Sequence, residues 1–385
     1  MARLDQIDRR KLGERLRLAR TMASLTQEQV GASLDLSRTT VTAIERGDRQ
    51  VSPQDLVAFA KLYGVSVNNL LRDSSVHVDL VAQFRRNLTV PKHGNEGVDC
   101  LRLLHRLATA CAELERRLGK PLNVHLPPEQ PIGRGKMELQ AEDMALEVRA
   151  SLGLGIAPIA NIVQLLELEV GLRIFVRRDM PSSISGVFTY HPEIGACVMI
   201  NGKHPRARRV WTLAHEFAHL LTDRNGTEVC YLEEGKPLSE RFSDAFAAAF
   251  LMPGVAIRRA FQEAVDAAGK FSVRAVVLMA HRFGVSIEAM FRRLEQIGLL
   301  KHGTFEARKR QFPPDLERSI VGDSVLADHI ELPPRLSLLA AEAHARGILT
   351  EEQIADMLSM ERLEVREFLD ALEPDLSDTL DVSDD

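Results

Sequence analysis

One stretch, Trp211-Thr212-Leu213-Ala214-His215-Glu216-Phe217-Ala218-His219-Leu220-Leu221, limits what this chain can fold into more than any other. It holds no Pro or Gly and carries an apolar face, so it reads as a helix. Histidines four apart on a helix stack one turn above the other, so both imidazoles can reach one cation. Glu216 leaves the helix about 100° round from His215, on the lip of the same face. From there a carboxylate can take a proton from a water whose pKa a bound zinc ion lowers. A surface helix that holds these letters by chance would carry charge elsewhere. The remaining positions from Thr212 to Leu221 are uncharged, as burial behind a metal site requires.

A tetrahedral catalytic zinc takes three protein ligands and a water, so a third ligand is owed. The candidate lies in the apolar helix Ser239 to Met252, which Pro253 stops. Glu240 and Asp244 are four apart and share a face away from Phe246 and Phe250. Glu240 can ligate, and Asp244 can receive the free ring N–H of a liganding histidine. The competing reading is a solvated acidic edge on a core helix.

"RRVWTLAHEFAHLL" followed by "SERFSDAFAAAFLMP" resembles the ImmA/IrrE family of zinc metallopeptidases, over roughly residues 140 to 300. The resemblance implies His215, His219 and Glu240 as Zn2+ ligands, Glu216 as general base and Asp244 as support for a ligand. It also marks departures: Trp211 stands for the usual Phe, Ser243 for Ala, Asp244 for Asn and Phe250 for Leu.

A second pattern occupies residues 8 to 72. A helix over Arg10 to Ala23 precedes Thr26, and Gln29 three residues later completes a capping-box signal. The helix Gln27 to Leu34 is followed by Ser37, which can cap a third helix running to Arg46 before Gly47 stops it. Two short helices this close make a helix-turn-helix, although the spacing alone also suits a generic bundle. "LTQEQVGASLDLSRTTVTAIERGDRQVSPQDLVAFAKLYGVSVNNLL" closely resembles the Xre/Cro-type repressor domain. That resemblance implies a DNA-binding set of Gln27, Ser37, Arg38, Thr39, Thr42 and Ala43. Gln27 would touch a phosphate, while Arg38 and Thr39, with Thr42 or Ala43, face bases. The modest basic charge makes a homodimer on a two-fold site the natural expectation.

The 385 residues suit two or three domains, and a formal net charge of −5 hides a basic start and a strongly acidic end. We divide the chain into the helix-turn-helix domain at 8–72, a helical connector with a Pro/Gly linker at 73–135, the peptidase-like domain at 136–300, a helical module at 301–372 and a disordered acidic tail at 373–385. Pro91, His93, Gly94, Asn95 and Gly97 mark one linker and the run Pro121 to Gly135 the clearest one. Between them Cys100, Leu104, Leu107, Cys111, Leu114 and Leu118 form an a/d seam, which either packs within the chain or joins two copies. Helices over Met137 to Leu152 and Pro158 to Leu168 precede three strands, at 172–176, 186–190 and 196–200, whose edge could hold a peptide beside the metal. His191 and His204 fall at turns and read as surface residues, and residues 271–300 could form a winged-helix-like unit. The segment "GILTEEQIADMLSMERLEVREFLDAL" has the rhythm of a second helix-turn-helix with an acidic face, which suits packing or protein contact.

The expected fold class is therefore mainly α with a small β-sheet. Four scattered cysteines, no apolar h-region at the N-terminus and no run long enough to span a bilayer suggest a cytoplasmic protein without membrane partners. The expected function is a transcriptional regulator with zinc endopeptidase activity. Its partners would be DNA and a protein substrate, such as a helix-turn-helix repressor. The alternative is a repressor or antitoxin whose zinc domain senses without turnover.

Overall fold

The structure, a computed structural model, describes residues 8–23, 25–63, 65, 67–71, 96–224, 227–231, 237–313, 315–322 and 334–372. The expected linker residues 91–95 and the tail 373–385 lie outside the described residues.

The N-terminal unit is five helices: α1 (Arg9–Met22), α2 (Gln27–Leu34), α3 (Arg38–Glu45), α4 (Pro53–Tyr63) and α5 (Val67–Leu71). Thr26 and Gln29 exchange the two hydrogen bonds of a capping box at the start of α2. Ser37 Oγ accepts from Thr40 N at the start of α3. Asp35 turns the chain between them in the left-handed region, at φ 54°. Leu16, Val30, Val41, Leu56 and Phe59 close a core of their own. Gly47, at φ +79°, follows α3 where a Cβ would meet the Arg10 backbone at 2.8 Å, so this turn accepts no side chain.

The rest of the fold is layered on one small sheet. Helices α6 (Glu96–Leu118), α7 (Met137–Ser151) and the short α8 (Ile162–Gln164) precede strands β1 (Arg173–Arg177), β2 (Ile184–His191) and β3 (Gly195–Asn201). Then come α9 (Arg206–Thr222), β4 (Thr227–Tyr231) and α10 (Leu238–Leu251). The sheet order is β1-β3-β2-β4, with β1 parallel to β3 and the other pairs antiparallel. Alternate residues face opposite cores, as strand periodicity requires. Ile174, Val176, Phe188, Val198 and Ile200 join one core, and Phe175, Val187, Cys197 and Met199 the other.

On the first face, α7, α9 and α10 pack together over the sheet. Phe246 and Phe250 stack at 5.4 Å between centroids, and Phe217 meets both edge-on. Buried Arg149 on α7 ties this layer together, donating to the carbonyls of Gly155, Ala157 and Phe250. Burial lowers its pKa to about 10. Helices α11 (Gly254–Ala268), α12 (Val273–Arg282), α13 (Ile287–Gln296), α14 (Thr304–Arg308) and α15 (Leu316–Val321) continue from α10. No strand follows α12 and α13 among the described residues, so the winged-helix expectation for 271–300 finds no wing there.

The second face carries α6 and the C-terminal helices α16 (Pro334–Ala345), α17 (Glu351–Leu358) and α18 (Arg362–Leu372). The α6 seam of Cys100, Leu104, Leu107, Cys111, Leu114 and Leu118 is buried in this core, so it packs within the chain. Glu115 links the three layers, pairing with Arg173 of β1 at 2.6 Å and Arg335 of α16 at 3.4 Å.

Three local expectations differ from the structure. Gly97 lies inside α6 rather than in a linker. The run Pro121 to Gly135 is a strap along the first layer, where His125 N donates to Val170 O and Gln130 N to Leu221 O. Proline forbids helix and leaves the chain extended, which suits a strap as well as a tether. The helix expected over Pro158–Leu168 starts only at Ile162 and passes into π-helix over Leu165–Val170 before Gly171. Strand β4 had no counterpart in the sequence reading.

Candidate metal centre

Helix α9 is buried from Thr212 to Thr222, and its one face presents His215 and His219 toward the start of α10. His215 Nε2 and His219 Nε2 lie 3.2 Å apart. Glu240 of α10 closes the triangle, with Oε2 3.2 Å from His215 Nε2 and Oε1 3.4 Å from His219 Nε2. A tetrahedral zinc with ligand bonds of about 2.0–2.2 Å has ligand–ligand edges of about 3.3–3.6 Å. The donor set and the spacing therefore both fit such an ion. It is the one His/Cys/Asp/Glu group of this kind among the described residues.

The walls are unequal. His215, Glu216 and His219 are 5%, 0% and 1% exposed, whereas the Glu240 and Asp244 side chains keep 18% and 33%. The centre thus opens toward the α10 side. Burial works against a charged His215, but hydrogen bonds to Asp244 and Glu240 outweigh it and raise its pKa. Burial likewise opposes the Glu240 carboxylate, and the hydrogen bonds from His215 and His219 win, holding it well below the usual carboxylate range.

Asp244, one turn beyond Glu240, places Oδ1 2.9 Å from His215 Nδ1. The other ring nitrogen is thereby left to face the cluster. Trp211 Nε1 donates to the same oxygen at 3.4 Å. Two of the departures from the family pattern, Trp211 and Asp244, meet in this one bond.

Glu216 stands outside the tripod and points at the sheet. Its neighbour there is Gly186 of β2: a Cβ on Gly186 would lie 2.3 Å from Glu216 Oε1 and 2.8 Å from Thr212 Cγ2. The sequence reading missed Gly186, although a glycine inside a strand signals close approach by another group. Strand β4 covers the outer edge of β2, pairing Cys230 with Gly186, so β2 itself presents no free edge. His191 accepts from Glu193 N in the β2–β3 turn, and neither it nor His204 belongs to the cluster.

In the N-terminal unit, Ser37, Arg38 and Thr39 are exposed at the start of α3, while Thr42 and Ala43 are half-buried. Gln27 is turned inward: Nε2 donates to Glu45 Oε2 at 2.8 Å and Oε1 accepts from Thr42 Oγ1 at 3.0 Å. Arg20 completes the network with two bonds to Glu45. A hollow of about 730 Å3 lies beside it, lined by Arg17, Leu25, Gln27 and Arg38 among others.

Two family models match the chain. A sequence model of the IrrE N-terminal-like domain, a peptidase family, matches residues 169–295. One of a helix-turn-helix domain matches residues 11–72. No curated protein matches. The solved structure of ComR from Streptococcus suis aligns over 95% of this chain and 94% of that one at 11% identity, with a TM-score of 0.16, too low to bear on the fold. The chain thus fuses an N-terminal helix-turn-helix domain to an IrrE N-terminal-like domain of a peptidase family.

Proposed function

We propose that this chain is a DNA-binding regulator with zinc endopeptidase activity, whose substrate is a protein such as a helix-turn-helix repressor. The observation that carries the peptidase half is the triangle of His215, His219 and Glu240 at tetrahedral spacing, with the Glu216 carboxylate beside it and outside it. His215, His219 and Glu240 would hold the ion, and Asp244 would fix the His215 ring. Zinc bound there would polarise a scissile carbonyl and acidify a water. Glu216 would serve as the base that removes a proton from the attacking water and returns it to the leaving amine. Its buried position against Gly186 fixes its direction without making it a ligand. In the DNA half, Arg38 reads guanine, and Ser37 and Thr39 lie beside it on the same exposed helix start.

Glu216→Gln tests the reading. The amide keeps the shape of the side chain, so zinc content, fold and DNA binding should be retained. Loss of a positioned base costs about 10²–10⁴-fold in rate. Mass spectrometry of proteins shortened when the wild-type chain is expressed identifies the substrate, and the Glu216→Gln strain should leave that protein whole. Unchanged derepression by the variant would favour a sensing platform without turnover, and unchanged cleavage would take the base away from Glu216.

A further inference from the structure

The two ends of the chain carry the same turn. Helix α2 has Thr26 as N-cap, a capping box with Gln29, eight residues and a left-handed Asp35 at φ 54°, ψ 41°. Helix α17 has Thr350 as N-cap, a capping box with Gln353, eight residues and a left-handed Ser359 at φ 52°, ψ 51°. Asp35 and Ser359 are the two non-glycine residues at positive φ among the described residues. The next helix starts at Arg38 in one case and Arg362 in the other. Val30 and Val41 are buried in the first unit, Ile354 and Val365 at the matching places in the second. By geometry, residues 350–372 are a second helix-turn-helix.

Its outward chemistry is reversed. Glu351 occupies the place of Gln27, and Arg362 and Arg366, the two cations of this segment, both pair with it, at 3.5 and 2.9 Å. Both arginines are themselves exposed, but acidic residues outnumber them on this face: Glu352, Asp356, Glu361, Glu364, Glu367 and Asp370 are all exposed. Leu363, 67% exposed, stands among them at the place of Thr39. Duplex phosphates would be repelled by this face. An apolar side chain ringed by carboxylates suits a basic protein surface with an apolar recess. The face is also held rigidly from behind, since Leu358 and Leu369 are in the core and Arg177 donates to the carbonyls of Leu358 and Ser359.

A surface of the complementary kind is present in the chain itself. Residues 8–71 hold ten basic and seven acidic side chains, and the hollow beside α2 sets Arg17, Arg20 and Arg38 with Leu25 against one acidic residue, Glu28. We propose that the acidic face of α17–α18 docks on the basic face of α1–α3 in a second copy of the chain, where it excludes DNA. Each copy offers one face of each kind, so two copies close both contacts about a two-fold axis. The proposal rests on the DNA-binding half of the proposed function and is independent of the peptidase half.

The test uses the full chain. Sedimentation velocity at tens of micromolar should show a concentration-dependent dimer that weakens as salt rises and that random-sequence duplex DNA dissociates. The variant Glu352→Lys/Glu367→Lys should weaken the dimer about tenfold or more. A control with the same charge change elsewhere, Glu138→Lys/Asp143→Lys on the exposed side of α7, should leave it intact. Adding Arg17→Glu/Arg38→Glu to the first variant should restore it, which no loss of folding could mimic. A chain that stays monomeric at these concentrations overturns the proposal, as does a dimer insensitive to Glu352→Lys/Glu367→Lys or unaffected by bound duplex. If duplex does not bind at all, the DNA reading fails, while the charge-swap series still decides the docking.

Discussion

Replacing Gly186 by Ala tests whether the sheet positions Glu216. In most strands this change is favourable, because glycine weakens a strand by about 0.5–1 kcal/mol relative to alanine. Here the new methyl would stand 2.3 Å from Glu216 Oε1, against 3.4 Å for ordinary contact. The carboxylate must therefore retreat by about 1 Å, and Thr212 at 2.8 Å blocks the methyl from yielding in the other direction. A misplacement of about 1 Å costs on the order of 10²-fold, or about 2.7 kcal/mol of barrier. None of the three atoms nearest to such a methyl belongs to the proposed ligands His215, His219 and Glu240, so zinc content should remain stoichiometric. The assay is single-turnover cleavage of the substrate protein, with zinc measured on the same sample. In a Glu216→Gln background the Gly186 change should have no further effect on rate, because the group it displaces no longer acts. Full activity of the Gly186→Ala chain, or an equal loss in the Glu216→Gln background, would refute the argument.

Three further outcomes are expected. Glu240→Ala should lose stoichiometric zinc at neutral pH, since it removes one of the three proposed ligands; full zinc in the purified variant would move suspicion to Asp244. Ser243→Ala should stabilise the chain by about 1 kcal/mol, because the buried Ser243 hydroxyl has no hydrogen-bond partner among the described residues; a thermal transition that falls instead would show a further partner. Burial raises the Glu167 carboxyl from 4.5 to about 8, despite the opposing backbone N–H groups of Arg335 and Ile174. The folded chain then holds a proton that the unfolded chain has released, so the stability this group contributes is present below about pH 4.5 and lost as pH rises through about 8. Glu167→Gln should flatten that decline in denaturant titrations at pH 5.5 and 8.5, and an unchanged slope would place the proton elsewhere.

The parts of this fold that the sequence made legible are those fixed by spacing along one element. His215 and His219 face one way because they are four apart on one helix, and Thr26 with Gln29 announces a helix start within four residues. Glu240 and Asp244 were legible for the same reason. What escaped is set by residues far apart in the chain. Glu115 meets Arg335 across 220 positions, and nothing local in α6 marks that pairing. The seam of α6 also admits a dimer contact until α16–α18 are seen to cover it. Strand β4 is short, and only its pairing with β2 makes it a strand.

The candidate metal centre shows the same limit at closer range. Trp211 and Asp244 each stood out as a departure from the family pattern, and taken singly each weakens the match. Together they form one arrangement: an aspartate in place of an amide adds charge beside His215, and the indole N–H supplies a donor to that charge at 3.4 Å. The second donor suits the added charge, since Asp244 Oδ1 already faces His215 Nδ1 at 2.9 Å and a hydrogen bond to an ionised acceptor is stronger than one to a neutral amide oxygen. If the two substitutions belong together, Trp211→Phe alone should weaken zinc binding more than Trp211→Phe with Asp244→Asn. Isothermal titration with Zn2+ on the two variants decides it. Equal or reversed affinities would mean that the two departures are independent and that Asp244 orients His215 unaided.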